Sequence, residues 1–365
     1  MLKYFSVSGY KNFSELVELD FSDVRDYKFS NDCINNRLLG KMLIYGKNAV
    51  GKSNFARAIR DIIYVPVGSL RMLDDDDYYL SINSDKSYAE FRYIFKFEDN
   101  EVEYRYRKTS ATDLVYEKII LNNSLLVEFN RSYPDDLHAP GLKDLAPTLI
   151  LDFVDVKSVL SYIVSNTPLE TEHPLRKTVS FIQNIFLHSS SEHIDLSLNK
   201  SLNYIIRENN RVHEFDDFLK IAGLEDGLVV KKDPSGVETL YFNTTPPLPF
   251  NDVASSGTKT LSRLFALYKV VKSFNNSCVL ILDEYDAFFH YELAERIVRM
   301  FIELPNVQVI FTTHNTSLLT NRYMRPDCCF ILTRNKLTAL PNATKMEIRE
   351  GHNLEKLFTG GEFDG

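Results

Sequence analysis

A glycine-bounded turn at residues 46–53 constrains the fold of this chain more than any other feature. Its sequence, GKNAVGKS, fits the pattern G-x-x-x-x-G-K-[ST]. The apolar run KMLIY precedes the turn, and apolar residues recur at helical spacing after Ser53. The sequence therefore predicts a strand, a phosphate-binding turn and a helix in direct succession, which is the context that this pattern requires.

Each part of the turn has a chemical role toward phosphate. Glycines allow backbone N–H groups to point inward around phosphate oxygens, and the helix N-terminus adds the positive end of its dipole. We expect Lys52 to reach the β- and γ-phosphates and the Ser53 hydroxyl to bind Mg²⁺. The predicted nucleotide-binding residues of this turn are Gly46, Lys47, Asn48, Ala49, Val50, Gly51, Lys52, Ser53 and Asn54.

Two later segments end buried strands in polar residues. CVLILDEY closes in Asp283 and Glu284, and ligands bind at the carboxyl ends of parallel strands in α/β sheets. We expect Asp283 to hold Mg²⁺ through a water, on the same ion as Ser53, and Glu284 to act as general base on the attacking water. VIFTTHN places His314 just past a second strand. There it either contacts the γ-phosphate or is only bonded to a loop, and the order of the motifs favours the first. The predicted catalytic residues are Lys52, Glu284 and His314.

The segment ASSGTK, residues 254–259, precedes another helical pattern. Ser255, Ser256 and Gly257 at a helix start form a good anion cradle. They are also a common N-cap, in which a serine oxygen only accepts a backbone N–H. The motif order again favours the first interpretation.

Composition excludes several classes of protein. The 365 residues are 44% hydrophobic and 25% charged, which is ordinary for a globular chain. No apolar run is long enough to span a bilayer, the N-terminus lacks the pattern of a signal peptide, and the four cysteines lack metal or disulfide spacing. We therefore expect a cytoplasmic location. The net charge of -8 argues against wholesale wrapping of nucleic acid. The acidic run at residues 74–77 is a solvated turn or, less simply, a cation site.

The pattern of apolar residues divides the chain into three parts. Residues 1–135 read as two N-terminal strands, the phosphate-binding turn and the hairpin AEFRYIFKFEDNEVEYRYRK. Residues 136–226 carry helical faces in LDFVDVKSVLSYIV, PLRKTVSFIQNIF and HEFDDFLKIAG, and read as a helical insertion. Residues 227–365 open with a hairpin around 233–236 and continue as alternating helices and buried strands. This alternation predicts a parallel sheet covered on both faces.

The order of the motifs resembles that of ABC-type ATPases, in the branch that includes SMC and RecF proteins. FSVSGYKNF resembles the first strand and turn of that branch, and SSGTK, DEYDAFFH and IFTTHNTSLL resemble stand-alone "AAA family" ATP-binding proteins of bacterial anti-phage systems. Examples of these are the Septu, PARIS and abortive-infection ATPases. The resemblance covers residues 1–135 and 236–365. It implies an α/β ATPase head with a mixed sheet plus the helical insertion, with ATP and Mg²⁺ bound.

The resemblance also implies how two copies meet. In such ATPases two heads pair head to tail, so Ser255, Ser256 and Gly257 of one copy would contact a γ-phosphate held by residues 46–53 of the other. A chain with one copy of each motif would then form a homodimer or a higher even oligomer.

Several residues depart from the ABC pattern. The glutamine that usually ligates Mg²⁺ and water is missing, because Gln183 and Gln308 are both misplaced, so either another residue fills its role or hydrolysis is slow. His290 stands where transporters have an acid. There is no long coiled coil or zinc hook, and the chain after His314 is too short for a TOPRIM nuclease. We therefore expect a separately encoded effector.

Three functions remain open at this point. The preferred one is a slow ATPase switch of an anti-phage system, controlling a nuclease or toxin. A RecF-like DNA-binding ATPase and an ATP-bound scaffold with little hydrolysis are the alternatives. Transport is disfavoured because no membrane segment is present.

Overall fold

The computed structural model describes residues 1–66, 78–153, 156–190, 198–206, 209–232, 236–274 and 277–363. The acidic run at 74–77 and residues 233–235 of the predicted hairpin turn lie outside these ranges.

Within the described residues, runs of strands and runs of helices follow one another along the chain. The strands are β1 Leu2–Ser8, β2 Val17–Asp20, β3 Ile34–Asn35, β4 Leu38–Leu39, β5 Lys41–Tyr45, β6 Ala89–Phe97, β7 Asn100–Lys108, β8 Leu114–Leu121, β9 Ser124–Asn130, β10 Ile185–Ser189, β11 Leu228–Lys232, β12 Glu238–Phe242, β13 Leu248–Pro249, β14 Cys278–Asp283, β15 Val307–Thr313, β16 Cys329–Leu332 and β17 Leu337–Ala339. The helices are α1 Lys52–Arg60, α2 Leu142–Leu145, α3 Val159–Asn166, α4 Pro174–Gln183, α5 Leu198–Ile206, α6 Asn209–Ile221, α7 Phe250–Val253, α8 Ser256–Lys272, α9 Tyr291–Ile302 and α10 Leu354–Thr359.

A mostly parallel sheet forms the centre of the molecule. Strands β10, β14, β15, β5 and β16 run parallel in that order, and β17 pairs antiparallel with β16. Every residue of β5, β14 and β15 is buried, as near-continuous apolar runs predict for strands covered on both faces. The carboxyl ends of four neighbouring strands bring Ser189, Asp283, Thr313 and Tyr45 to one edge of the sheet. The predicted α/β fold with a mixed sheet is confirmed.

A second, antiparallel sheet covers α1. Its order is β2-β1-β6-β7-β8-β9, which includes the predicted hairpin and two strands, β8 and β9, that the sequence analysis missed. The inner face of this sheet is aromatic: the rings of Phe5 and Phe55 lie 5.6 Å apart, and the Tyr93 hydroxyl donates to the Ala58 carbonyl at 2.8 Å. Since α1 also packs against β10, β14 and β15, it is held between the two sheets.

Residues 136–226 are helical in most of the described part but not throughout. Helix α4 begins at Pro174, as predicted, but ends at Gln183, and β10 follows after Asn184. The predicted continuation of the helix through Phe186 is therefore wrong, because the backbone of this stretch bonds to β14 instead. This segment thus supplies an outer strand of the parallel sheet. The division at 135 and 226 stays a prediction.

Two further helices differ in extent from their sequence patterns. α3 begins only after Ser158, whose hydroxyl accepts the Ser161 N–H, so the preceding LDFVDVK is not helical where it is described. α6 ends as predicted near Gly223, which adopts a φ of 87°.

Helix α8 packs on α5 and α6, and the Phe215 and Phe265 rings lie 5.1 Å apart in that contact. The hairpin of β11 and β12 is confirmed by their antiparallel pairing. In the described residues, no helix is both long enough and apolar enough to cross a membrane.

Candidate nucleotide-binding site

The phosphate loop, residues 46–53, joins β5 to the start of α1 as predicted. A Cβ on Gly46 would lie 2.8 Å from Val50 Cγ2 and 3.1 Å from the Leu332 carbonyl oxygen. Gly51 has a φ of +108°, and a Cβ there would lie 2.4 Å from Asn12 Nδ2. Neither position accommodates a side chain without displacing a neighbour, so both glycines are needed for this path of the backbone.

Asn12 fixes the loop from outside the motif. Its Nδ2 donates to the Val50 carbonyl at 3.2 Å, and its Oδ1 accepts from Asn54 Nδ2 at 2.6 Å. This residue lies in the GYKNF turn after β1, and the sequence analysis gave it no role. Residues 47–49 form the exposed tip of the loop, and Ala49 has a φ of 63°.

The Lys52 ammonium lies beneath the loop. Lys52 is only 3% exposed, and its Nζ donates to the Gly46 carbonyl at 2.9 Å and to the Lys47 carbonyl at 3.2 Å. Glu284 Oε1 lies 3.5 Å from the same nitrogen. A buried cation of this kind favours an anion beside it, because burial removes water that would otherwise solvate the charge. Lys52 and Glu284, both predicted site residues, are therefore in contact.

Asp283 is surrounded by hydroxyl groups. It is 2% exposed, and the Thr312 hydroxyl donates to its Oδ1 at 2.6 Å. Burial raises the pKa of the Asp283 carboxyl, and the hydrogen bonds from Thr312 and Ser53 oppose that rise. The structure thus brings the two predicted metal ligands, Ser53 and Asp283, next to each other.

This pair of oxygen ligands fits Mg²⁺, which is commonly bound by one or two protein ligands together with substrate phosphates and water. Among the described residues there is no group of three His, Cys, Asp or Glu side chains able to hold a metal by themselves. A cation here would therefore rely on phosphate and water oxygens as well as on Ser53 and Asp283.

Glu284 adopts an unusual backbone conformation. Its φ is 44°, in the left-handed region that non-glycine residues rarely occupy. Its N–H donates to the Thr312 hydroxyl at 2.9 Å, and its side chain is 32% exposed. Because strained residues of this kind cluster at functional sites, the conformation supports a role for the carboxylate at the sheet edge.

A similar pair of hydrogen bonds is made by the next residue of β15, Thr313. The Thr313 hydroxyl donates to Asp286 Oδ2 at 2.7 Å and accepts the Asn315 N–H at 2.9 Å. His314, which lies between Thr313 and Asn315 in the sequence, has an exposed side chain. Burial raises the pKa of the Asp286 carboxyl, while the Thr313 hydrogen bond and the charge of nearby His314 oppose the rise. His314 therefore lies near Asp286, in the turn that follows β14. Its contact with phosphate remains a prediction.

Thr312, Thr313 and Asp286 were not among the predicted site residues. The signal for them is the pairing of DEYD with TTH, in which two hydroxyl residues end one strand and acids follow its neighbour. Recognising it requires knowing that β14 and β15 are adjacent, which the sequence alone does not show.

Ser255, Ser256 and Gly257 lie at the start of α8 and not in this cluster. The Ser255 hydroxyl accepts the Thr258 N–H at 3.1 Å, which makes it an N-cap, and both serines are exposed. A Cβ on Gly257 would lie 3.4 Å from the Phe288 carbonyl oxygen. The segment therefore packs beside the turn after Glu284, and both of its serines are exposed. Its role as an anion cradle stays a prediction.

Neither glutamine serves the phosphate site. Gln308 is buried in β15, where its amide donates to the Leu2 and Leu39 carbonyls and accepts the Leu2 N–H. Gln183 is exposed at the end of α4. Gln308 therefore joins β1 to the parallel sheet.

Comparison with known proteins places this site in a family. The family model described as "AAA domain, putative AbiEii toxin, Type IV TA system" matches residues 41–320. The chain belongs to this family. Its members are P-loop ATPases, and the matched range contains every predicted site residue of this AAA-domain ATPase, from Gly46 to His314. No protein of curated function matches the sequence.

Solved structures resemble this AAA-domain ATPase along most of its length. The SMC head domain from Thermotoga maritima is 16% identical, with 95% of this chain and 99% of that chain covered and a TM-score of 0.45. An SMC head bound to the C-terminal winged-helix domain of ScpA is 18% identical, with coverage of 92% and 97% and a TM-score of 0.48. The recombination mediator RecF with ATP is 15% identical, with coverage of 93% and 99% and a TM-score of 0.42.

Proposed function

We propose that this chain is a cytoplasmic, dimeric ATPase switch of an anti-phage defence system, which binds and slowly hydrolyses Mg²⁺-ATP and controls a separately encoded nuclease or toxin. The observation that carries the ATPase part is the convergence of Lys52, Ser53, Asp283 and Glu284 at one edge of the parallel sheet. The chain belongs to a family whose description names a putative AbiEii toxin, and this supports the defence role.

The side chains divide the work of hydrolysis among them. Lys52 and the N–H groups of the phosphate loop bind the phosphates, and Ser53 and Asp283 hold Mg²⁺. Bound Mg²⁺ neutralises charge that develops on the phosphate oxygens. Glu284 orients the attacking water and accepts its proton, and its contact with Lys52 keeps the carboxylate at the mouth of the loop.

Assembly into a dimer is supported by what α8 leaves exposed. Ser255 and Ser256 face solvent, and the large apolar side chains of Val253 and Phe288 beside them are 47% and 49% exposed. These two apolar side chains are available for burial against a partner. We propose that this surface meets the phosphate loop of a second copy.

The cysteines of the chain support the cytoplasmic location. All four thiols are buried and free, as is usual in a reducing compartment.

The DNA-binding alternative gains little from the structure. Residues 322–325, RYMR, contain two arginines that could contact DNA phosphates. One of them, Arg325, is not available, because it is 3% exposed and its Nη2 lies 2.6 Å from Asp327 Oδ2. Lys231 and Lys232 are exposed at the end of β11 but form only a small patch. Salt-dependent binding to duplex DNA, measured across ionic strengths, would favour this alternative.

The first experiment measures mass and ATP turnover of the purified chain and of Glu284→Gln. We expect turnover in the wild type, its loss in Glu284→Gln, and an ATP-dependent shift of that variant from monomer to dimer. Ser256→Arg should abolish the shift while leaving ATP bound. A chain that stays monomeric with ATP in both forms would contradict the composite site, and equal turnover in both would favour the scaffold alternative. Co-purification with the product of a neighbouring gene tests the effector.

A further inference from the structure

The end of β10 lies against Asp283. β10 and β14 are parallel with Ser189 directly opposite Asp283, so the two side chains share one face of the sheet. The Ser189 hydroxyl, 2% exposed, donates to Asp283 Oδ2 at 3.4 Å. The next residue continues the contact, since the Ser190 N–H donates to the Asp283 carbonyl at 3.2 Å.

The Ser190 hydroxyl is buried without an evident partner. Ser190 is 6% exposed, and within the described ranges its Oγ has no hydrogen-bond partner. A buried polar atom of this kind costs free energy unless a water or an ion satisfies it, so each instance requires an explanation. Here the unsatisfied oxygen lies one residue beyond a group that already bonds the predicted Mg²⁺ ligand.

Asp283 receives hydroxyl groups from three elements. Ser53 comes from α1, Thr312 from β15 and Ser189 from β10. Hydroxyl oxygens of this type both donate to a carboxylate and accept from metal-bound water, which are the two functions of an outer ligand shell. The chain has two glutamines, and neither takes part in these contacts. Gln308 is hydrogen-bonded to Leu2, and Gln183 is exposed at the end of α4.

We propose that Ser189 and Ser190, at the end of β10, replace the missing glutamine as positioning residues: Ser189 orients the Asp283 carboxylate, and Ser190 holds a water of the Mg²⁺ shell. The inference rests on the proposed ATPase function. A serine reaches less far than a glutamine and acts through water, so the site binds Mg²⁺ through an outer shell on this side and not through a direct amide ligand.

The test is a Mg²⁺ titration of nucleotide binding. The affinity for the non-hydrolysable analogue adenosine 5′-(β,γ-imido)triphosphate is measured in EDTA and at rising Mg²⁺ concentration. The chains compared are the wild type, Ser189→Ala, Ser190→Ala and the double variant. Ser6→Ala is the matched control, because Ser6 is also a buried serine, 4% exposed, but lies in β1 of the other sheet. Thermal unfolding without nucleotide shows that each variant is folded.

We expect the double variant to need about 10-fold more Mg²⁺ for half of the Mg²⁺-dependent gain in affinity, as is usual when groups behind a metal ligand are removed. Affinity in EDTA should not change, and Ser189→Thr, which keeps the hydroxyl, should behave as the wild type. Mg²⁺ dependence equal to that of the wild type in both single variants and the double variant would overturn the inference alone. A folded wild type whose affinity does not respond to Mg²⁺ would overturn the proposed function together with it.

Discussion

The Thr312 hydroxyl joins the two acids of the site: it donates to Asp283 Oδ1 at 2.6 Å and accepts the Glu284 N–H at 2.9 Å. One side chain of β15 therefore fixes both the orientation of the predicted Mg²⁺ ligand and the backbone of the predicted general base. This bridge crosses from one parallel strand to its neighbour.

Replacing Thr312 by Val keeps the shape of the side chain and removes this bridge. We expect ATP turnover to fall by about 10- to 100-fold, as for other groups that orient a metal ligand. Steady-state phosphate release measures the effect, and Thr312→Ser, which retains the hydroxyl, should recover most of the activity. Turnover in Thr312→Val within twofold of the wild type would show that the bridge is not needed.

Lys52 and Lys47 provide a matched pair of lysines in the phosphate loop. Lys52 is buried with its Nζ bonded to two loop carbonyls, whereas Lys47 is exposed at the loop tip. We expect Lys52→Met to weaken ATP binding by about 100-fold, because a buried charge-assisted contact with phosphate is lost. Lys47→Met should change affinity by less than about threefold, since an exposed charge is screened. Calorimetric titration with ATP measures both, and equal effects would contradict the assignment of Lys52.

Comparing alanine substitutions at Gly51 and Gly223 distinguishes the cost of backbone strain from the cost of a steric clash. Both have a positive φ, but a Cβ at Gly51 would lie 2.4 Å from Asn12 Nδ2, while at Gly223 nothing lies within 4 Å. We expect Gly223→Ala to lower the free energy of unfolding by about 1 kcal/mol, through strain alone. Gly51→Ala should cost about 2 kcal/mol more, because the collision adds to the strain.

Urea denaturation gives the free energy of unfolding of each glycine variant. If the collision is the cause, Asn12→Ala should cost less stability in the Gly51→Ala background than in the wild type, which a double-mutant cycle detects. Additive effects of the two substitutions would assign the whole loss to the backbone.

Lys41 gives a pH dependence to stability. Its Nζ donates to the Leu304 carbonyl at 2.9 Å and the Val307 carbonyl at 2.5 Å, and burial lowers its pKa from 10.5 to about 8. Between these two values the unfolded chain binds more protons than the folded chain, so this lysine makes the folded state more stable as pH rises. The contribution is about 3 kcal/mol across the window.

Urea denaturation at pH 8, 9 and 10 measures this slope against Lys41→Met. Other groups titrate in the same range, but they are common to both proteins, so the difference between the two curves belongs to Lys41. Parallel curves would show that Lys41 titrates in the folded chain as it does in the unfolded chain.

The motifs predicted the elements around the site better than the contacts between them. Three elements could be predicted because each combines a clear apolar period with a turn signal: the strand KMLIY, the helix after Ser53 and the strand ending in Asp283. β10 was not readable, since IFLHS follows a helical pattern with only Asn184 between them and is short enough to continue it. Its strand conformation comes from pairing with β14, a contact made far along the chain.

The order of strands explains the remaining omissions. Thr312 faces Asp283 only because β15 lies beside β14, and Ser189 does so only because β10 lies on the other side. Asn12 reaches the phosphate loop because β1 and α1 belong to different layers that meet there. Spacing along the sequence carries none of these three relationships.

In the part of the chain that the structure describes, β10 is an edge strand, bonded to β14 on one side only. It can therefore separate from the sheet without breaking the pairing of β14 with β15. The same strand follows α4 after a single residue. Thermodynamic reciprocity then fixes the sign of any communication: a protein that binds α4 and weakens nucleotide binding by displacing β10 must itself bind less tightly, by the same factor, once nucleotide is present.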